Sequence, residues 1–334
     1  MSAKKKRTVL VTGAAGFIGF HVAKELLNRG YRVVGYDAVT SYYDVRLKKR
    51  RLAMLGKFSA FHFVKASVAS YPALKRVMKA EHPDEIVHLA AQAGVRYSLV
   101  NPWIYADTNY LGTLNIFEIA RQFRLPRVVY ASSSSVYGAN SKQPFQESDR
   151  TDLPVSIYGA TKRGNEILAR AYHHLFKTEM IGLRFFTVYG PWGRPDMALF
   201  KFARRILQDR PIELYNRGNM KRSFTYIDDI VRGVVSTIER APKGRCEIYN
   251  LGGSETVPLK HFVGLIEKQF GKRAKKILKA LQAGDVPETV ADCSKARREL
   301  GFRPQVSIEE GIARFAKWFL EHRDFLADLK EPKQ

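Results

Sequence analysis

A doubly wound α/β fold, with a parallel sheet covered by helices and a smaller C-terminal mixed α/β lobe, is what this 334-residue sequence predicts. Three observations carry it. Apolar strand-like runs alternate with helical periodicity from residue 8 to about residue 186, a glycine-rich turn joins the first strand to the first helix, and beyond Phe186 the alternation breaks into loops, short strands and helices.

Thr8-Val9-Leu10-Val11-Thr12 reads as a buried strand, followed by Gly13-Ala14-Ala15-Gly16-Phe17-Ile18-Gly19 and by helical periodicity through Val22, Leu26 and Leu27. Glycines let a backbone approach a pyrophosphate closely, and free N–H groups at a helix start attract its charge. The spacing is GxxGxxG rather than GxGxxG, a partial match that the flanking strand and helix strengthen. A second strand over residues 31–36 ends in Asp37, where a carboxylate would bind an adenosine ribose diol and repel a 2′-phosphate. The alternative for Asp37 is a turn or cap residue. This Rossmann-like arrangement predicts NAD rather than NADP.

Residues 61–64 then form a strand before a helix over about 71–80. Residues 85–89 form a fourth strand, followed by a long helix through Asn109, Thr113, Asn115 and Ile119, and residues 127–130 a fifth that runs out at the serines 132–135. Small residues at these two strand ends, Ala90-Ala91 and Ser132-Ser133, leave room for a cofactor, because ligands of such sheets lie beyond the carboxyl ends of the strands. His88, one residue short of that edge, reads as a packed strand histidine. A sixth strand over 180–186 ends the alternation, and the Gly- and Pro-rich segment 187–197 is a loop. Helices are expected over 198–208, 227–239, 259–270 and 308–320, and short strands over 211–215, 223–226 and 247–251. Residues 1–186 are thus expected to be an NAD-binding domain and 187–334 a substrate lobe, with chain crossings between the two. The tail from about residue 324 is expected to fray.

Composition narrows the classes. The apolar fraction of 45% is globular, no apolar run reaches the length of a membrane span, and the N-terminus runs straight into a strand pattern, so a cytoplasmic protein is the expectation. Two cysteines, Cys246 and Cys293, lie far apart outside any CxxC spacing, and the eight histidines show no HExxH, so no disulfide framework and no catalytic metal are expected. The net charge of +24 would suit nucleic acid, an anionic surface or an anionic small substrate. Its densest clusters, 48–51 and 272–276, are short and lack RNA-motif aromatics, so they read as solvated surface and no nucleic-acid partner is expected.

The chemistry centres on Tyr158 and Lys162, four residues apart and therefore on one helix face. A fixed ammonium beside a phenol favours phenolate and makes the tyrosine a general base. Alone, such a pair is an ordinary feature of a solvated helix. The upstream run of residues 131–138 could add a serine hydroxyl to the same substrate oxygen.

Together these residues resemble the extended short-chain dehydrogenase/reductase family, from the TGxxGFIG turn of residues 12–19 through the serines to Tyr158 and Lys162. The resemblance covers nearly the whole chain. Within the family the chain is most similar to the UDP-glucuronate 4-epimerase branch, through residues 41–45, 92–98, 184–191, 194–197, 224–230 and 284–286. It implies that Ser133, Tyr158 and Lys162 are catalytic and that NAD meets Gly13, Gly16, Phe17, Ile18, Gly19, Asp37, Ser67, Ala90, Asn109, Ser132, Tyr158, Lys162 and Phe185. It places a uridine diphosphate near Met197, Tyr215, Arg222 and Asp285, and adds Arg96, Ser134, Ser135, Thr187 and Arg194 as substrate-binding. Ser67 stands where relatives usually carry an adenine-binding aspartate, and Ser223 where they usually have aspartate after the arginine. A homodimer through the helices around Asn109 and Leu168 is also implied.

The expected reaction is inversion at C4 of UDP-glucuronate through a 4-keto sugar, giving UDP-galacturonate. Ser134 and Ser135 stand where related dehydratases carry Asp-Glu and related decarboxylases a glutamate. Neutral hydroxyls can bind a substrate carboxylate that a glutamate would repel, and Arg194 could grip it bidentately. Holding that carboxylate out of the plane of C–C cleavage would suppress loss of CO₂ from the β-keto acid. The alternative for Arg194 is a solvated loop residue, and Arg96 is a further candidate for diphosphate or carboxylate. The rival functions are a 4-epimerase of neutral UDP-hexoses and a non-catalytic NAD- or RNA-binding regulator.

Overall fold

The computed structural model describes residues 7–253, 255–282 and 284–330. Its centre is a seven-stranded, wholly parallel sheet. The first half of the chain lays down β1 (Thr8–Thr12), α1 (Phe17–Asn28), β2 (Arg32–Asp37), α2 (Val45–Leu55), β3 (Phe61–Lys65), α3 (Tyr71–Glu81) and β4 (Glu85–His88). Two short helices, α4 (Tyr97–Val100) and α5 (Pro102–Tyr105), a π-helical stretch over Ala106–Leu111 and α6 (Gly112–Gln122) lead to β5 (Arg127–Ser133), then to α7 (Ile157–Phe176) and β6 (Glu179–Phe185). The strand order β3-β2-β1-β4-β5-β6 reverses direction of growth between β1 and β4, and ligands of such sheets sit outside that switch point. All of β1, Val9 to Val11 included, is buried, as a strand covered by helices on both faces must be.

The second half adds β7 (Thr187–Tyr189), α8 (Ala198–Leu207), β8 (Ile212–Leu214), β9 (Lys221–Arg222), β10 (Phe224–Tyr226), α9 (Ile227–Arg240), β11 (Cys246–Leu251), β12 (Val257–Pro258), α10 (Leu259–Phe270), β13 (Lys276–Leu278), β14 (Glu288–Thr289), α11 (Ser294–Leu300), α12 (Ile308–Glu321) and α13 (Arg323–Ala327). Of these, β11 returns to the main sheet and pairs in parallel with β6, from Cys246 beside Met180 to Leu251 beside Phe185. The remaining strands form three small sheets over the carboxyl edge of the large one. One continuous apolar core runs from Val9 and Phe20 through Trp192 to Phe315 and Trp318, so the two halves pack directly on each other.

Four sequence expectations change, besides the loop expected from residue 187, whose first three residues form β7 on β10. The fifth strand runs on to Ser133, because β6 offers a continuing ladder opposite Ala131, Ser132 and Ser133 that overrides the weak strand preference of serine. The long helix after β4 is broken at Asn101, whose side chain caps α5 ahead of Pro102. Of the basic run 48–51, Lys48 and Arg51 are buried rather than solvated. The tail is docked as far as Lys330: Leu326 and Leu329 are buried, Arg46 pairs with Asp328, and the Lys330 N–H donates to Asp44 Oδ2 at 2.9 Å. Residues 331–334 lie outside the described residues. Among the described residues no helix is long and apolar enough to cross a membrane.

Candidate functional site

Two cavities meet at the carboxyl edge of the sheet. The first, of about 260 Å³, is walled by the glycine turn and by the ends of β2, β3, β4 and β5. Gly13 sits at φ +74°, with its N–H on Tyr36 O at 2.7 Å, and a Cβ on Gly19 would fall 2.1 Å from Gly13 O. Only glycine lets the turn fold back this tightly against α1. Gly16 caps α1 without a side-chain hydrogen bond, so the first N–H groups of the helix are left to meet an anion.

Asp37 is held at the rim, its Oδ2 accepting from the Ala15 N–H at 3.1 Å and its Oδ1 from the Val39 N–H at 2.7 Å. Phe17, Ile18, Ser67, Ala90, Ser132 and Phe185 also line this cavity. A fixed carboxylate, an open helix start and small strand-end residues in one cleft suit a dinucleotide such as NAD, with the ribose diol on Asp37 and the pyrophosphate on the glycine turn. Asn109 stands one layer back. Its buried amide clamps the backbone of Gln92, accepting from the N–H at 2.8 Å and donating to the carbonyl at 3.0 Å, so it shapes the wall rather than lining it.

The second cavity, of about 400 Å³, opens between the sheet and the small lobe. The residues expected to bind substrate, Ser134, Ser135, Thr187, Met197, Tyr215, Arg222, Asp285 and Arg96, line it. Its far wall is set by charge. Arg96 pairs with Asp285 at 3.0 Å with its guanidinium 4.3 Å from the Tyr215 ring, and the Tyr215 hydroxyl donates to Glu213 at 2.7 Å. Arg222 Nη1 donates to the carbonyls of Lys221 and Pro287, each at 2.9 Å. Burial pushes its pKa down. Ser223 is turned away from the cavity and donates to Gly253 O at 2.6 Å.

Ser133, Tyr158, Arg194, Phe185 and Met197 line both cavities. They stand where a group in one would touch a group in the other. Helix α7, which carries Tyr158, starts where the Ser156 hydroxyl accepts from the Gly159 N–H at 3.0 Å. Burial raises the Tyr158 phenol above its ordinary value, while the neighbouring Ser133 hydroxyl and the positive charge of Arg194 pull it back. Lys162 is buried as well: with 1% of its surface exposed, its ammonium donates to Ala131 O at 2.7 Å. Burial lowers it to about 8, against the pull of Glu166. Lys162 and Tyr158 line the same dinucleotide cavity, and the groups that lower the phenol there are Ser133 and Arg194.

Sequence reasoning missed two members of the site. Glu166, fully buried, accepts from Ser132 Oγ at 2.7 Å and from both Arg184 Nε and Nη2 at 2.8 Å. Lys162 and Glu166, four residues apart and in step with Tyr158, thus hold Ala131 and Ser132 at the end of β5. The repeat of four was visible in the sequence, but a lone glutamate on a helix gave no reason to bury it. Asp196 is the other: it pairs with Arg194, Nε at 3.1 Å, and accepts from the Tyr42 hydroxyl at 3.2 Å. The guanidinium expected to be free for a carboxylate is thus already held by one edge, and this pairing raises its pKa. His88 is a packed histidine, between Thr12 Oγ1 at 2.8 Å and Thr113 Oγ1 at 3.1 Å, and burial with the nearby Lys162 pushes it down to about 3.

Comparison with known proteins agrees with this geometry. The NAD dependent epimerase/dehydratase family matches residues 9–252. A probable UDP-glucuronate 4-epimerase of Rhizobium meliloti is 46% identical over 93% of this chain and 96% of its own length. A UDP-glucuronate 4-epimerase of Thermodesulfobacterium geofontis is 42% identical over 96% and 98%. Among solved structures, the UDP-glucuronic acid 4-epimerase of Bacillus cereus, in complex with UDP-glucuronic acid and NAD, superposes with a TM-score of 0.89 at 35% identity, covering 94% of this chain and 99% of that one.

Proposed function

From the premise that this chain belongs to the NAD dependent epimerase/dehydratase family, we propose that it interconverts UDP-glucuronate and UDP-galacturonate by inversion at C4. One observation carries the reading: Tyr158, Ser133 and Arg194 stand at the junction of a cavity built for a dinucleotide and a cavity built for an anionic ligand.

NAD, when bound, accepts a hydride from the sugar carbon and returns it, so the overall reaction is redox-neutral. Tyr158 takes the proton from the 4-hydroxyl and later gives it back. Ser133, beside Tyr158 at the junction, donates to the same sugar oxygen as its charge develops. Lys162 keeps the end of β5 in place and offers its remaining N–H donors to the cofactor ribose. The 4-keto sugar turns over in the larger cavity, exposing its opposite face for the return of the hydride. Its carboxylate is met by Ser134, Ser135, Thr187 and the free edge of Arg194. No acidic side chain stands at 134 or 135 to repel it. Arg222, whose guanidinium pairs with no carboxylate among the described residues, suits the diphosphate. The net charge of +24 favours capture of such an anion.

The test is to incubate the protein with UDP-glucuronate and resolve the products by NMR. UDP-galacturonate is the expected product, and UDP-xylose or a 4-keto pentose in its place would refute the proposal.

A homodimer and a cytoplasmic setting belong to the same proposal. Exposed apolar side chains crowd the helices around α5 and α7, with Trp103 78% exposed beside Leu99, Val100, Tyr110, Ile167 and Phe176. A patch of this kind suits a second copy. Trp103→Glu is expected to convert a dimer to a monomer in light scattering, and an unchanged mass would remove this face from the interface.

A further inference from the structure

Arg51 is a fully buried guanidinium that no carboxylate pairs among the described residues, and neither cavity is lined by it. All its bonds run to neutral acceptors. Nη1 donates to Ala15 O at 2.9 Å and to the Tyr43 hydroxyl at 2.7 Å, and Nη2 donates to Trp192 O at 2.6 Å and Gly193 O at 3.0 Å. Burying a charge without a counter-charge is costly, so a chain that tolerates one here must gain from it.

The two ends it joins are telling. Ala15 lies inside the glycine turn of the dinucleotide cavity, and Gly193 immediately precedes Arg194. The 190–193 turn is itself strained, with Gly190 at φ +146° and Trp192 at φ +58°, a region a bulky side chain avoids. His21 on α1 assists by bonding Pro191 O through Nε2 at 3.0 Å. Only a forked, planar donor can span both carbonyl sets at once.

We propose that Arg51 is a positioning residue that locks the Arg194 loop onto the glycine turn, so that NAD retention and the grip on the substrate carboxylate depend on one buried side chain. The second half of this statement rests on the assignment of Arg194 to that carboxylate, and the first half does not. Its fixed positive charge behind the turn also adds to the pull on a pyrophosphate.

The test compares Arg51→Lys, which keeps the charge and loses the fork, with Arg51→Gln, which loses both. Dissociation constants for NAD, KM for UDP-glucuronate and the competitive inhibition constant of UDP-glucose are measured on each, with thermal melting to verify folding. Loss of charge-assisted hydrogen bonds corresponds to roughly tenfold effects. Both variants are expected to weaken NAD by about that factor and to raise KM for UDP-glucuronate about tenfold more than the inhibition constant of UDP-glucose. Folded Arg51→Lys protein with wild-type NAD affinity and equal changes for the two sugars would overturn the proposal. If Arg51→Gln does not fold, Arg51→Lys decides alone. If UDP-glucuronate proves not to be the substrate, the NAD constants still test the lock on the glycine turn.

Discussion

The dinucleotide cavity draws most of its wall from the carboxyl ends of neighbouring parallel strands, whereas the nucleotide-sugar cavity is assembled from segments near residues 96, 134, 187, 197, 215, 222 and 285. In the first, most of the contributing residues follow a strand of the sheet, so position in sequence and position in space are nearly the same information. In the second, side chains far apart in sequence are held by pairings such as Arg96 with Asp285 across the cavity mouth. One wall is a consequence of the sheet, and the other is a consequence of how a lobe is laid over it.

Changes at the junction should produce the largest effects. Tyr158→Phe removes the proton acceptor and should lower turnover by about two to four orders of magnitude. NAD affinity should be largely retained, because the ring that lines the cofactor cavity stays and only one hydroxyl is lost. Activity near wild type would remove the base from Tyr158 and with it the join between the two cavities.

A smaller, selective effect is expected on the substrate side. Arg194→Ala should raise KM for UDP-glucuronate by roughly tenfold or more, the value of a charge-assisted hydrogen bond, and leave the inhibition constant of UDP-glucose much less affected. Equal losses for the two sugars would show that Arg194 is committed to Asp196 and does not read the carboxylate.

An effect on stability, with none expected on turnover at neutral pH, lies behind the cofactor wall. His88 is held near a pKa of about 3 against an ordinary value of 6.5. Between those values the unfolded chain binds a proton that the folded chain does not, so stability falls as pH falls, by about 1.4 kcal/mol per pH unit, until the folded histidine protonates. His88→Asn should flatten urea midpoints over that window. An unchanged slope would mean the wall opens to solvent before it unfolds.

Much of the cofactor half was legible because its signals are local. Glycine at 13, 16 and 19 and a carboxylate at 37 have their meaning within one strand-turn-helix-strand unit, and the register of a parallel sheet leaves them little freedom. Tyr158 and Lys162 were legible for a similar reason, as a spacing of four places them on one helix face. Their division of labour was not. Which acceptor Lys162 would reach depended on β5 running three residues further than its sequence suggested, and that was decided by the ladder β6 supplies.

The burial of Glu166, the pairing of Arg194 with Asp196 and the span of Arg51 from Ala15 to Gly193 were likewise not decided by periodicity or spacing. Each is a charged residue whose burial depends on a neighbouring element, and a charge in sequence reads as solvent-facing until packing removes the solvent. By itself, then, the order of amino acids determined the strand alternation, the phosphate turn, the dinucleotide choice and the tyrosine. Tertiary structure alone decided where each buried charge ends, because desolvation and hydrogen-bond geometry are properties of distances between elements, and those exist only once the lobes have packed.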